Sequence, residues 1–238
     1  MKKTSRLLVD IFLIITILLC ILPFLYMILM SLKSTVNAYD FDFALSKLTL
    51  KHYKNIFTNS TFLRYFFNSV FVAISGVLLT LFTSCTAGFA FAKLKFRGND
   101  KLFFLLILSM LVPSGAILVP LYLVVRGLGW VNTFCALILP LPTAFGVFVM
   151  RNAIMAIPEE LIESAKIDGA TTSKILRTVI LPLVKSSMLT VAIFTFIGAW
   201  NNFTWPLIIT TNDAYRTLPL ALKAMQTQYD TDIGLTMA

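Results

Sequence analysis

YFFNSVFVAISGVLLTLFTSCTAGFAFA, from Tyr65 to Ala92, contains no Asp, Glu, Lys or Arg. A helix of about 20 residues crosses the ~30 Å hydrocarbon core of a bilayer, and this stretch is longer than that. A charge at the centre of such a helix costs roughly 2.5–3.5 kcal/mol, whereas each Leu, Ile or Phe gains about 0.5. Backbone in lipid must satisfy its own hydrogen bonds, and a long unbroken apolar run does so as a helix; barrel strands are short and alternating. The stretch is therefore a membrane helix.

Four further stretches share this property: Ile11–Ser31, Leu102–Val125, Gly127–Met150 and Ser186–Asn212. The whole chain of 238 residues is 58% hydrophobic and 13% charged, with a mean hydropathy of +0.86. A soluble domain needs more polar surface than this. The expectation is an all-α membrane protein with spans at about 9–31, 66–92, 102–124, 133–154 and 187–209, and a polar loop over 155–185. Lys2, Lys3 and Arg6 ahead of the first apolar run raise the alternative of a signal peptide. That run is too long for a signal core and no small-residue cleavage site closes it, so a retained first span is expected.

Basic residues set the expected orientation. With the N-terminus inside, the inner segments hold Lys2, Lys3, Arg6, Lys93, Lys95, Arg97, Lys101, Arg151, Lys166, Lys174, Arg177 and Lys185. The outer ones hold Lys33, Lys47, Lys51, Lys54, Arg64, Arg126, Arg216 and Lys223, spread over longer loops. The dense cluster from Lys93 to Lys101 follows the positive-inside rule. The net charge of +9 thus reads as topology beside anionic lipid, not as a nucleic-acid surface.

Several function classes are excluded. Cys20, Cys85 and Cys135 are odd in number, form no CxxC and fall inside expected spans, so they read as packing residues. His52, the single histidine, is expected as a solvated side chain in the first outer loop. One histidine outside the spans leaves no Ser–His–Asp or Cys–His arrangement, and no catalytic or metal site is indicated. No glycine begins a GxxxxGK[ST] phosphate cradle, so any ATP hydrolysis must come from another polypeptide.

The loop from Arg151 to Lys185 is patterned. Pro158 suits a first helical position, and Glu159 and Glu160 suit the positive end of a helix dipole. A short helix to Asp168, stopped by Gly169 at positive φ, is expected. Thr171, Thr172 and Ser173 offer caps for a second helix, whose apolar stripe is Ile175, Leu176, Val179, Ile180 and Leu183. Pro182 then bends the chain into the last span. Such a pair either rests in the lipid interface as an amphipathic belt or docks into a groove on a partner. The acidic, small-residue surface of Glu159, Glu160, Glu163, Ser164 and Ala165 favours docking over an anionic membrane.

Glu163-Ser164-Ala165, three residues, Gly169, nine residues, Val179, one residue and Leu181-Pro182 resembles the EAA loop of binding-protein-dependent ABC importer permeases. Ser164 and Val179 replace the family's Ala and Ile. Ala87–Leu94 with Phe96-Arg97-Gly98, Leu128–Thr133 with Ala136–Pro140, and Trp200–Leu207 with Arg216–Pro219 resemble further segments of carbohydrate-type members, in the same order. Asn202 stands where an acidic residue is usual. The closest likeness is to the smaller permease subunit of maltose-type carbohydrate transporters.

This resemblance implies a type I ABC importer transmembrane domain in a bacterial cytoplasmic membrane. It implies a second permease subunit, two ATPase subunits carrying ATP and magnesium, an extracytoplasmic solute-binding protein, and no cofactor on this chain. Glu159, Glu160, Glu163, Ser164, Ala165, Asp168, Gly169, Leu181 and Pro182 would couple to the ATPase. The family's sixth span is expected after the Arg-Thr-Leu-Pro segment and is absent from this sequence. Trp200, Asn201, Asn202, Thr204 and Trp205 pair aromatic faces with hydrogen-bonding groups, as a sugar path requires; an interface anchor with helix-packing polar groups is the plainer reading. No charge lies deep in a span, which favours a neutral solute, a sugar or another. A self-contained secondary transporter is the rival class; Pro113, Pro120, Pro140 and Pro142 are expected to break helices as such a protein requires, but no Asp or Glu lies in a span to bind a coupling ion.

Overall fold

The computed structural model describes residues 3–33, 48–228 and 233–238. Among these the only strand pairing is an isolated antiparallel bridge between Lys33 and Leu48. Lys2 and Lys47, assigned above to inner and outer segments, lie outside the described residues. The chain divides into two compact units, one from Met1–Arg64 with Ala221–Ala238 and one from Tyr65–Leu220.

In the first unit, α1 (Lys3–Ser31) is apolar on every side, and nearly all its side chains from Val9 to Leu29 are exposed. A helix of that composition is stable where lipid or another protein covers it. The short α2 (Lys51–Thr58) buries Ile56 and His52. His52 is the first correction to the sequence reading: it is helical and 6% exposed, with Nε2 2.8 Å from the Lys33 carbonyl oxygen. An imidazole is a largely apolar body with a polar tip, so one backbone partner lets it be buried.

The second unit begins within α3 (Ser60–Lys93). It continues through α4 (Asn99–Ser109), α5 (Ser114–Gly127), α6 (Phe134–Ile138), α7 (Ala144–Met155), α8 (Glu159–Ile167), α9 (Thr172–Leu183), α10 (Lys185–Trp200) and α11 (Thr204–Ile209). The helix α12 (Leu218–Gln228) starts in this unit and from Ala221 belongs to the first, as does the short α13 (Ile233–Met237). Among the described residues, Val9–Ser31 and Ser60–Lys93 are the single helices long and apolar enough to cross a membrane.

Three expected spans are interrupted. The stretch 102–124 is two helices, α4 and α5, bent by 104°. Pro113 disfavours helical backbone at Val112, and the last turn before it tightens to three-residue hydrogen bonds, such as Val112 N to Ser109 O at 3.3 Å. The stretch 133–154 breaks between α6 and α7, where Pro140 and Pro142 stand. The stretch 187–209 ends its main helix at Trp200 and resumes as α11. Charge-free length does not mark these breaks; Pro113, Pro140 and Pro142 mark two of them, whereas Pro120, expected to break a helix, lies inside α5.

Small residues bring α3 against α7. A Cβ on Gly88 would meet Met150 Cβ at 2.8 Å and Arg151 N at 3.0 Å, and one on Gly146 would collide with Ser84 Oγ. Close backbone approach of this kind is how helices associate in lipid, where burial from water contributes nothing. The resulting core contains Cys85 and Phe89 of α3, Met150 and Ile154 of α7, Ile162 of α8, Ile175 and Ile180 of α9 and Val191 of α10. Of the three cysteines, Cys85 has the expected packing role; Cys20 and Cys135 are exposed within the chain.

Asn132 closes the far end. Its φ is +58°, a region Asn tolerates well. Its Oδ1 accepts from Thr211 N at 2.7 Å and Asn212 N at 2.9 Å, tying the α5–α6 turn to the segment after α11. Replacing Gly88 by Leu overpacks the α3–α7 contact and is expected to cost about 1–3 kcal/mol. Gly127→Ala, whose new methyl meets open space, is expected to leave melting in detergent unchanged, and thermal unfolding of the two variants checks the contrast.

Candidate functional site

Helix α8 is positioned by its own sequence. Pro158, in extended backbone, precedes Glu159 and Glu160 of the first turn, one residue from the expected start. Ile162 is buried, and Ala165 packs against the core shared with α3 and α7. That fixes one face inward. Glu160, Glu163, Ser164 and Ile167 recur at i, i+3, i+4 and i+7 on the face left exposed. Ile167 is 86% exposed and Leu161 44%. Neither was singled out by sequence, although the same helical spacing that placed Glu163 outward also places Ile167 there.

The helix ends as a Schellman motif. Gly169 N donates to Lys166 O at 3.0 Å and Ala170 N to Ala165 O at 2.9 Å, with Asp168 as cap and Gly169 at φ +73°. Thr171 then caps α9, its side chain accepting from Lys174 N at 3.4 Å. Within α9 the residues Leu176–Ile180 are π-helical. The chain turns 81° at Val184 into α10. Leu181 is half-buried and packs on the core, whereas Pro182 is exposed. Four members of the expected stripe pack inward; Leu183 is exposed, because the wider π turn rotates it off the line that a regular helix would keep.

One partner of this loop went unseen in the sequence. Lys93, at the end of α3, donates through Nζ to Ile157 O at 2.7 Å and to Glu159 Oε1 at 2.9 Å. Its side chain is 5% exposed, against 63% for Glu159. The Lys93 hydrogen bond, assisted by the charges of Lys93, Lys166 and Lys95, holds the Glu159 carboxyl below its ordinary value despite some desolvation. Lys93 belonged to a cluster explained by topology, and no local spacing linked it to a residue so distant along the chain.

The second group of candidates lies around a cavity of about 850 Å³. Its wall comes from the α4–α5 break at Ser114, from α5, from the Pro140–Phe145 region, from α10, and from Asn202, Thr204 and Trp205. Ser114, Thr143, Thr195, Asn202 and Thr204 supply hydroxyls and an amide; no lining residue is charged. Trp205 is itself held, its Nε1 donating to Ala136 O at 2.8 Å. Asn202 Oδ1 accepts from Trp205 N at 3.3 Å and starts α11. Trp200 is elsewhere, stacked on Phe196 at 5.7 Å with an edge contact to Phe66 at 5.9 Å. Asn201 is exposed and outside the lining. The breaks that shortened the spans thus line the cavity, as broken membrane helices do where they face a polar space.

Residues 84–238 match the family described as binding-protein-dependent transport system inner membrane component. The chain is 33% identical over 224 residues to the arabinooligosaccharides transport system permease protein AraQ of Halalkalibacterium halodurans, covering 92% of this chain and 80% of AraQ. It is 36% identical over 206 residues to protein LplC of Bacillus subtilis, covering 85% and 69%. To the lactose transport system permease protein LacG of Rhizobium radiobacter it is 28% identical, covering 92% and 81%. Among solved structures, a chain of a bacterial ABC transporter involved in importing the acidic polysaccharide alginate superposes with a TM-score of 0.88 at 22% identity, covering 100% of this chain and 91% of that one.

The Lys93–Glu159 pair carries a pH dependence of definite sign. A lowered carboxyl value means that the pair's contribution is present above the ordinary glutamate range and is lost as pH falls through the lowered value. Lys93→Met is expected to move the Glu159 titration upward, read by isotope-edited infrared spectroscopy of the glutamate carboxyls; an unmoved titration contradicts the pairing.

Proposed function

This chain belongs to the binding-protein-dependent transport system inner membrane components, and from that premise we propose that it is one of two permease chains of an ATP-driven sugar or oligosaccharide importer. It is a multi-pass protein of the bacterial cytoplasmic membrane. In the proposed orientation the N-terminus and the α8–α9 loop are cytoplasmic. Two ATPase subunits, which hold ATP and magnesium, dock on α8, and an extracytoplasmic solute-binding protein delivers the solute from the other side. The permease itself performs no covalent chemistry. It alternates between inward- and outward-facing arrangements as rigid bodies.

The observation that carries this reading is the outward stripe of Glu160, Glu163, Ser164 and Ile167 on a helix whose opposite face shares the core of α3 and α7. A helix displaced by a partner on one face moves what is packed on the other. Glu163 and Ser164 supply the polar contacts to the ATPase groove, and Ile167 the apolar one. Gly169 turns the chain without strain, and Leu181 and Pro182 carry it into α10.

The cavity supports a neutral solute. Asn202 and Thr204 offer hydrogen bonds beside the apolar wall of Trp205, Phe145 and Phe194, the mixture that sugar hydroxyls and ring faces require. The structural neighbour serves an acidic polysaccharide, but an acidic solute here would leave its carboxylates without a cationic partner. Two relatives are named for arabinooligosaccharides and lactose, both neutral. Trp200 and Asn201 stand outside the cavity, and their proposed part is to hold the α10–α11 turn.

Gly169→Val places a β-branched residue at positive φ, costing of the order of 1–3 kcal/mol locally. It is expected to abolish uptake and loosen ATPase co-purification, while Gly169→Asn retains both; normal co-purification and uptake in the Val variant refute the seat. Uptake in cells carrying or lacking the transporter, followed with radiolabelled neutral and uronate-containing oligosaccharides, is expected to show transport of neutral members only. Preference for the uronates overturns the neutral assignment.

A further inference from the structure

We infer that Lys93 is a positioning residue that fastens the start of α8 to the end of α3, so that the two helices move as one body when nucleotide acts on α8. The inference rests on the reading of α8 as the ATPase seat, and it concerns how the push is transmitted, not where it is received.

Three segments converge on one ammonium. The end of α3 is held by Asn99, whose Nδ2 donates to Leu94 O at 3.0 Å and Phe91 O at 3.4 Å. From there Lys93 reaches Ile157 O, just beyond α7, and Glu159, in the first turn of α8. A carbonyl beyond a helix end lacks an intrahelical donor, and an ammonium has three donors and nothing to accept. Both needs are met by the same contact.

Topology alone does not require this placement. Lys95 and Arg97, two and four residues on, are exposed and satisfy the positive-inside rule without burial. Lys93 alone folds its side chain inward, to 5% exposure. The apolar packing of Ile162 against the core is non-directional and permits rolling of α8. Two hydrogen bonds from a single charged group restrict that roll, because they tie the end of α3 to the backbone carbonyl just before α8 and to a carboxylate in its first turn.

The test uses the assembled transporter in lipid nanodiscs, with Cys20, Cys85 and Cys135 replaced by Ala. Spin labels are placed at Phe82→Cys on α3 and Lys166→Cys on α8, both exposed sites. Pulsed electron spin resonance then reads their separation without nucleotide and with ATP, magnesium and vanadate. The expected result is one narrow distance, unchanged by nucleotide. In Lys93→Met the distribution broadens and acquires a nucleotide-dependent shift. Lys93→Arg, whose guanidinium also reaches two acceptors, restores the narrow distance; a mere packing role would not predict that rescue. A distribution in Lys93→Met as narrow and fixed as the native one overturns the inference. So does a nucleotide-dependent shift in the native chain, which decides the matter even if Lys93→Met fails to accumulate. Failure of the ATPase seat is a separate outcome: it appears as loss of cross-linking from Ser164→Cys to the ATPase, with the α3–α8 distance still readable.

Discussion

An apolar core that begins where Gly88 lets α3 touch α7 continues into α8, α9 and the start of α10. Everything proposed for this chain depends on that continuity. In lipid, helices gain little by leaving one apolar medium for another, so contact must come from close fit. Gly88, Gly146 and Ser84 provide the fit in the membrane part. Ile162, Ile175 and Ile180 extend it under the polar loop. The loop is therefore not an appendage. It is the end of the helix packing.

On that footing the loop's outer face becomes interpretable. Ile167 is 86% exposed and Leu161 44%, beside the acidic Glu160 and Glu163. The Schellman turn at Gly169 and the cap at Thr171 hold α8 and α9 at a set angle, so the face is presented rigidly. Lys93 adds two directional hydrogen bonds between the loop and a membrane helix. The cavity lies in the same unit, walled by the interruptions of α4–α5 and α10–α11, and no charged residue lines it.

Much of this was legible in the residues. Charge-free runs marked two helices of membrane length, Val9–Ser31 and Ser60–Lys93, because the insertion cost of a charge is large, and the Pro158–Gly169 helix was legible because its stop and its caps are local signals. Asn202, Thr204 and Trp205 were legible as a cluster because they are nearly adjacent in the chain. The misses share a cause in distance and geometry. His52 and Lys93 are buried by carbonyls of Lys33 and Ile157, which no periodicity reveals. The bends near Pro113 and Pro182 were marked by those prolines, whereas Pro120 stays inside α5. Trp200, beside the cluster in sequence, points to Phe196 and Phe66 instead, because the turn at Asn201 separates it from Trp205.

The central claim is that the outer face of α8 is where the ATPase sits. Photo-cross-linking from a benzoylphenylalanine placed in turn at Glu163, Ile167 and Ile162, in native membranes with the whole transporter expressed, addresses it most directly. The account predicts adducts to the ATPase from positions 163 and 167 and none from the core-facing position 162. Adducts only to lipid or to the extracytoplasmic binding protein, or labelling of position 163 by a membrane-impermeant reagent from outside the cell, would contradict it.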